Sequence, residues 1–238
     1  MEHPKHEIKV GKPHRDWFNK DEWELFYKCF PSFIKDSGND KDRYYRKLIR
    51  DFVLIAANSC CRVGELRQLE WNMVSSLWVN KTERDGSIGK RDFIEFDIPA
   101  RITKTNTSRQ FVTRGGKYLE RIEFYYPHDI TDNGFVFSHY NNNEAITYRT
   151  LAIYWKKLVD YSGIEQKTGK HYVLYSLRHY GITHRLANGV DTYIVAKGSG
   201  TSLHFIEKHY EHLELQISRN AALQEAGIGI NDPSIDDR

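Results

Sequence analysis

Two hydrophobic rhythms run along this chain. Leu48, Phe52 and Ile55 recur at i, i+4 and i+7, the spacing of one buried helix face, and that helix runs toward Asn58. Leu151, Tyr154 and Leu158 repeat the pattern inside a helix predicted over residues 144–161. Between them the period drops to two. Ile94, Phe96 and Ile98 alternate with Glu95 and Asp97, which predicts a half-buried strand. After the polar turn Thr105-Asn106-Thr107, residues 109–113 read as a return strand, and residues 74–79 supply a third. The fold class that results is α+β: mainly helical, with a small antiparallel sheet.

Local signals set the boundaries. Asn19 ahead of Glu22 is a helix N-cap, so a helix is predicted over residues 20–30 and stopped by Pro31. Ser37-Gly38-Asn39-Asp40 is a loop, and residues 61–69 turn into a short helix. Gly163, Gly169 and nearby lysines form a loop. A helix over 176–188 stops at Gly189. Asp191 caps a short helix broken at Gly198-Ser199-Gly200, and Ser202 caps the helix that carries Tyr210. Residues 214–226 read as a last helix. This divides the chain into a polar leader over 1–20, a domain over 21–213, and a C-terminal helix and tail over 214–238.

The length of 238 residues allows a core without metal or disulfide staples. Net charge is +3, weakly basic, so the placement of cations matters more than their sum. Cys29, Cys60 and Cys61 are odd in number, with two adjacent in an apolar run. That argues for buried thiols in a reducing compartment. There is no apolar run long enough to span a bilayer and no signal-peptide pattern at the start, so the expected location is cytoplasmic. Tyrosine is abundant, at 15 residues, so position alone can single one out.

Position does so. Breaking a phosphodiester without a metal requires cations on the non-bridging oxygens, an in-line nucleophile, and a proton for the leaving oxygen. Arg62 sits at the mouth of a helix in Cys61-Arg62-Val63-Gly64-Glu65-Leu66, with Glu65 one turn on to pin its guanidinium. Taken alone, this is equally a surface Arg–Glu helix pair. Arg178, in Tyr175-Ser176-Leu177-Arg178-His179, starts a helix whose N-terminus favours a phosphate. Taken alone, it is a solvated arginine. Tyr210, in Ile206-Glu207-Lys208-His209-Tyr210, would need its phenol activated, and two nearby arginines would favour the phenolate. Taken alone, it is a packing tyrosine. His209 and His212 stand at i and i+3 but lack a third ligand, so no metal site is expected.

Together, in this order and spacing, these motifs resemble the tyrosine recombinase (phage integrase) family over roughly residues 17–213. Cys-Arg-Val-Gly-Glu-Leu is similar to the family's first arginine motif, and Tyr175 to His179 to its H-x-x-R-H box. Asn188-Gly189-Val190-Asp191 is similar to the turn that follows. Gly200-Thr201 and the run to Tyr210 keep the spacing from the family's Gly-His pair to the nucleophile. The resemblance implies a catalytic domain that joins Tyr210 to a 3′ phosphate, with no cofactor. Lys104, in a segment similar to the family's β-hairpin, would protonate the leaving oxygen. Arg62 and Arg178 would hold the phosphate, with Tyr175 and Thr201 completing the catalytic set and Glu65, His179 and His204 supporting it. Two positions depart from the pattern: Tyr175 stands where the family has His, and Thr201 where it has His or Trp.

The implied partner is double-stranded DNA, bound by a homo-oligomer, a tetramer in this family. Lys104, Arg109, Lys167 and Lys170 are the expected contacts, and affinity through such residues falls with salt. The family also carries an N-terminal clamp domain, and the leader over 1–20 resembles the linker to it. Leu213, Leu215 and Ile217 are candidate contacts to a neighbouring subunit or to the chain's own domain. Implied roles are integration or excision of a phage or other mobile element, in a bacterial or phage-infected host cell. Two rivals stand beside this: a type IB topoisomerase-like activity, and a DNA-binding protein of the same fold that has lost cleavage. The departures at Tyr175 and Thr201 predict slow cleavage. A Thr201→His variant should cleave a nicked suicide duplex faster than wild type in single turnover, and no gain would undercut that account.

Overall fold

The computed structural model describes residues 16–82 and 85–210, with positions 218, 219 and 222 beyond them. Leu213, Leu215, Ile217 and His212, and most of residues 214–226, lie outside the described residues. The side chain of His209 is likewise outside the described set.

The packed unit starts earlier than the boundary expected at residue 21. Phe18 is buried and stacks on Tyr172, with ring centroids 4.1 Å apart and planes within 9°. Helix α1 (Lys20–Lys28) opens with the reciprocal bonds that Asn19 and Glu22 promised. Each side chain accepts from the other's backbone N–H at 2.8 Å. Pro31 does not end the helical path. It occupies the first turn of α2 (Phe30–Lys35), where its missing N–H costs nothing.

Helix α3 (Asp40–Ser59) is the centre of the domain, packed against α2 and against three later helices, Gly116–Tyr125, Tyr148–Ser162 and Leu174–Ala187. Leu48, Phe52 and Ile55 are all buried, as their spacing predicted. The helix ends at Cys60, a non-glycine residue at φ 57. The left-handed conformation costs a side-chain-bearing residue about 1–2 kcal/mol, so something must hold it there; its carbonyl is the answer, as shown below. Helix α4 (Val63–Leu66) follows at once.

Strands β1 (Val74–Thr82), β2 (Ile88–Ile98) and β3 (Arg109–Arg114) form the antiparallel sheet in that order. Ile94, Phe96 and Ile98 face inward. Helix α5 (Gly116–Tyr125), in a stretch where neither rhythm was read, packs on β1, β2 and α3. It is tied to α3 by Asp51, a fully buried carboxylate that accepts from Arg50, Arg121 and the Tyr125 hydroxyl.

The short pair β4 (Ser138–His139) and β5 (Asn142–Ala145) takes the first residues of the helix predicted from 144. Helix α6 (Tyr148–Ser162) instead starts after Thr147, whose hydroxyl accepts from the N–H of Thr150. Helix α7 (Ile164–Thr168) fills the expected loop between left-handed Gly163 and Gly169.

The last helices are α8 (Leu174–Ala187), α9 (Thr192–Ser199) and α10 (Leu203–Tyr210). The caps at Gly189, Asp191 and Ser202 are where the sequence placed them. Helix α8 begins earlier than predicted, so Arg178 lies one turn inside it rather than at its mouth. Among the described residues, no helix is long and apolar enough to cross a membrane.

Helices α3 and α8 meet at Gly181. A Cβ there would stand 2.2 Å from the Ala57 carbonyl oxygen and 2.8 Å from the Cys60 sulfur. Gly181→Ala should therefore lower the free energy of unfolding by about 2–3 kcal/mol, read as a lower urea midpoint at unchanged slope. A variant as stable as wild type would contradict this close approach.

Candidate active site

The site is organised by the end of α9. Its last carbonyls have no partner within the helix. Three successive ones are each taken by a different arginine: Gly198 by Arg109 Nε at 2.9 Å, Ser199 by Arg178 Nη1 at 2.7 Å, and Gly200 by Arg62 Nη2 at 2.8 Å. The turn itself requires glycine. Gly200 has φ 63, and a Cβ on it would stand 2.9 Å from Arg109 Nη1.

Each arginine has a second anchor. Arg178, 4% exposed, also donates from Nη1 to the Cys60 carbonyl at 2.6 Å, which accounts for the left-handed turn after α3. Arg62 donates to Glu65 Oε1 at 3.0 Å, while its backbone N–H donates to Oε2 at 2.9 Å. Arg109 donates to Glu65 Oε2 at 2.7 Å. Glu65, 1% exposed, thus bridges two arginines. Burial alone would raise its carboxyl, but the bonds and charge of Arg109, then the bonds from Arg62, outweigh that and hold it below the usual carboxylate range. Arg109, expected on DNA, is 8% exposed at the cleft edge, with its guanidinium bonded to Glu65 and Gly198.

Tyr210 ends α10, buried at 4% exposure, with its hydroxyl 2.8 Å from His179 Nδ1. Arg178 favours the phenolate, as expected, but burial outweighs it. Burial pushes the Tyr210 hydroxyl well above the usual tyrosine range, and nearby Arg178 pulls it only part of the way back. An imidazole carrying its proton on Nε2 accepts the phenol proton at Nδ1. Tyr175 meets the His179 ring edge to face, with centroids 4.9 Å apart. His179, assigned a supporting role from sequence, is thus the side chain bonded to the expected nucleophile.

A cleft of about 570 Å³ opens beside the arginines, lined among others by Arg62, Arg109, Thr107, Lys197 and Thr201. Lys104 is exposed on the β2–β3 connection, next to Thr105, which also lines the cleft. Lys197, exposed on α9, carried no motif and was missed. His204 is exposed on α10 and Lys167 on α7. Lys170, expected on DNA, instead donates to both oxygens of Glu22 at 2.7 and 2.9 Å and ties α1 to the segment before α8. The backbone carbonyls that hold the arginines gave no side-chain signal at all.

Comparison with known proteins places this architecture. The sequence matches the phage integrase family over residues 28–216, and the chain belongs to that family. No curated protein matches it. Among solved structures, the XerH site-specific recombinase bound to palindromic difH substrate, in a post-cleavage complex, is 16% identical with a TM-score of 0.60 over 92% of this chain. The XerA recombinase is 20% identical with a TM-score of 0.56 over 93%. The Tn1549 transposon integrase in complex with circular intermediate DNA is 16% identical with a TM-score of 0.55 over 91%. This chain spans 56% of the XerH chain, 69% of XerA and 68% of the Tn1549 integrase. The likeness shows a shared fold: mainly helical, with a small antiparallel sheet.

The Glu65 brace makes a prediction of definite sign. Its folded carboxyl lies below the unfolded value of about 4.3. Its contribution is therefore complete above that value and lost as pH falls through the lower folded one. Glu65→Gln should cost roughly 3 kcal/mol at neutral pH by leaving Arg109 buried without its anion. It should also flatten the acid limb of stability against pH. Both are read by urea unfolding across pH 2–7, and an unchanged acid limb would overturn the assignment.

Proposed function

We propose that this chain carries the catalytic machinery of a site-specific DNA recombinase, which breaks and rejoins strands through a 3′-phosphotyrosyl intermediate. The observation that carries the reading is the convergence on one turn of α9. Arg62 and Arg178 are both fastened there, and Tyr210 stands near Arg178 with its hydroxyl on a histidine. Family membership supports the same reaction class.

In this mechanism Arg62 and Arg178 neutralise the non-bridging oxygens of the scissile phosphate. The Tyr210 oxygen attacks phosphorus in line and its proton passes to His179 Nδ1. The bond from phosphorus to the 5′ oxygen breaks, and Lys104 protonates that oxygen. One phosphodiester replaces another, so attack by a different strand's 5′ hydroxyl reverses the step without an energy cofactor. Lys197 and the loop around Lys104 contact backbone phosphates at the cleft. The substrate is double-stranded DNA, the working assembly a homo-tetramer on it, and the role integration or excision of a phage or other mobile element in the cytoplasm. The DNA complexes of XerH and of the Tn1549 integrase support DNA as the partner.

A second reading, DNA binding without cleavage, draws on the buried state of Tyr210 and on Tyr175 and Thr201 replacing the family's histidines. Covalent trapping separates the two. The probe is a nicked duplex enriched from a random-sequence pool by binding to the protein, used with EDTA present. Wild type should give a denaturation-resistant adduct, Tyr210→Phe none, and His179→Ala an adduct forming roughly 10²-fold more slowly. No adduct from wild type would favour the binding-only reading. Relaxation of any supercoiled plasmid by a monomer would favour the topoisomerase one.

A further inference from the structure

The segment leading into the fold brings a further aromatic ring to the His179 imidazole. Trp17 lies against it with centroids 6.1 Å apart and planes at 35°. Tyr175 meets the same ring at 4.9 Å, and the Tyr210 hydroxyl sits 2.8 Å from Nδ1. Trp17 is not placed by chance contact, because its neighbours are pinned on either side. The Asp16 carbonyl accepts from the hydroxyl of Ser176 at 2.6 Å, and the Asp16 carboxylate accepts from the N–H of His171 at 2.8 Å. Ser176 is fully buried in the first turn of α8, and its hydroxyl also accepts from the N–H of Val173 at 3.1 Å. On the other side Phe18 stacks on Tyr172, and Lys170 reaches the Trp17 carbonyl at 3.4 Å while holding Glu22.

A histidine ring has a broad torsional well about its last side-chain bond. Half a turn exchanges Nδ1 for a carbon and takes the acceptor away from the phenol. The rings of Trp17 and Tyr175, both packed near the imidazole, resist that rotation by taking up the volume it would sweep. We propose that Trp17 is a positioning residue that keeps His179 Nδ1 on the Tyr210 hydroxyl, so that the seating of the leading segment on α8 sets the readiness of the nucleophile. The proposal rests on the reading of Tyr210 and His179 given above. It goes beyond that reading by placing a determinant of the chemistry outside every catalytic motif, in a stretch whose composition resembles a linker.

The test compares three versions of this chain: wild type, Trp17→Phe, which keeps a flat ring, and Trp17→Leu, which keeps apolar bulk without one. The first readout needs no DNA. Nitrogen-15 spectra of the His179 imidazole should show Nδ1 as an unprotonated acceptor in wild type and Trp17→Phe, and a mixture of tautomers in Trp17→Leu. The second is single-turnover adduct formation on the selected nicked duplex. Trp17→Leu should be slower by about tenfold or more, with DNA affinity within twofold of wild type, and Trp17→Phe should recover most of the rate. A Leu variant with the wild-type imidazole spectrum, or with the wild-type rate, overturns the proposal. So does a Phe variant as slow as Leu. If wild type itself forms no adduct, the recombinase reading fails, and the imidazole spectra alone decide the positioning role.

Discussion

Three guanidinium groups converge on the three carbonyls that end α9, and most of the site follows from that meeting. A helix C-terminus carries partial negative charge and unpaired acceptors, so cations gather there at low cost. Arg109, Arg178 and Arg62 take Gly198, Ser199 and Gly200 in order. The sources of the three are far apart in sequence: strand β3, helix α8 and the mouth of α4. One short turn therefore sets the relative positions of three secondary-structure elements and of the two arginines proposed to hold phosphate. The glycine at the turn is needed twice over, for its positive φ and for the room it leaves Arg109.

Concentrating positive charge inside a fold needs a counter-charge, and Glu65 supplies it. Its carboxylate meets both Arg62 and Arg109, at 3.0 and 2.7 Å. A buried ion pair of this kind adds little net stability compared with apolar packing, but removing one partner is expensive. The arrangement therefore acts mainly on geometry. Arg109 is neutralised and locked, whereas Arg62 remains partly exposed at the cleft. The two arginines share a carboxylate and both line the cleft, but Arg62 is the more exposed of the two. The strained turn at Cys60 belongs to the same economy: its left-handed backbone aims a carbonyl at Arg178 and fixes that side chain from a second direction.

Local signals in the sequence proved the most legible. The alternation at Ile94, Phe96 and Ile98, the Asn19–Glu22 capping pair and the glycine after α8 each depend on residues a few positions apart, and each was realised. The pairing of Arg62 with Glu65 was legible for the same reason, as was the capping of α10 by Ser202. What escaped the sequence was long-range. Arg109 reads as a cation for DNA because nothing near it announces a buried glutamate more than forty positions earlier. Phe18 sits in a polar leader, and only Tyr172 on the far side of the domain makes it a core residue. Lys170 looks like a cation for DNA until Glu22 is brought beside it. The motif resemblance put Tyr210, Arg178 and a supporting His179 in one set, but the hydrogen bond between the imidazole and the phenol depends on how α8 and α10 pack, which no local motif announces.

That last contact bears on how a chain without the family's usual histidines at 175 and 201 could still activate a tyrosine. Ionising even an ordinary phenol at pH 7 costs about 4 kcal/mol, and burial raises the cost for Tyr210. An incoming phosphate brings more negative charge, so it opposes a free phenolate unless the arginines cancel it. A stepwise route through a preformed phenolate is therefore the expensive one in this site. Proton transfer in step with attack avoids that state, provided an acceptor already sits at hydrogen-bond distance. His179 does, and it stands one helical turn beyond Tyr175 on the same face of α8. On the proposed mechanism, the helix that lost a histidine at one position offers another a turn away, and a neutral, buried nucleophile is then a resting state rather than a defect.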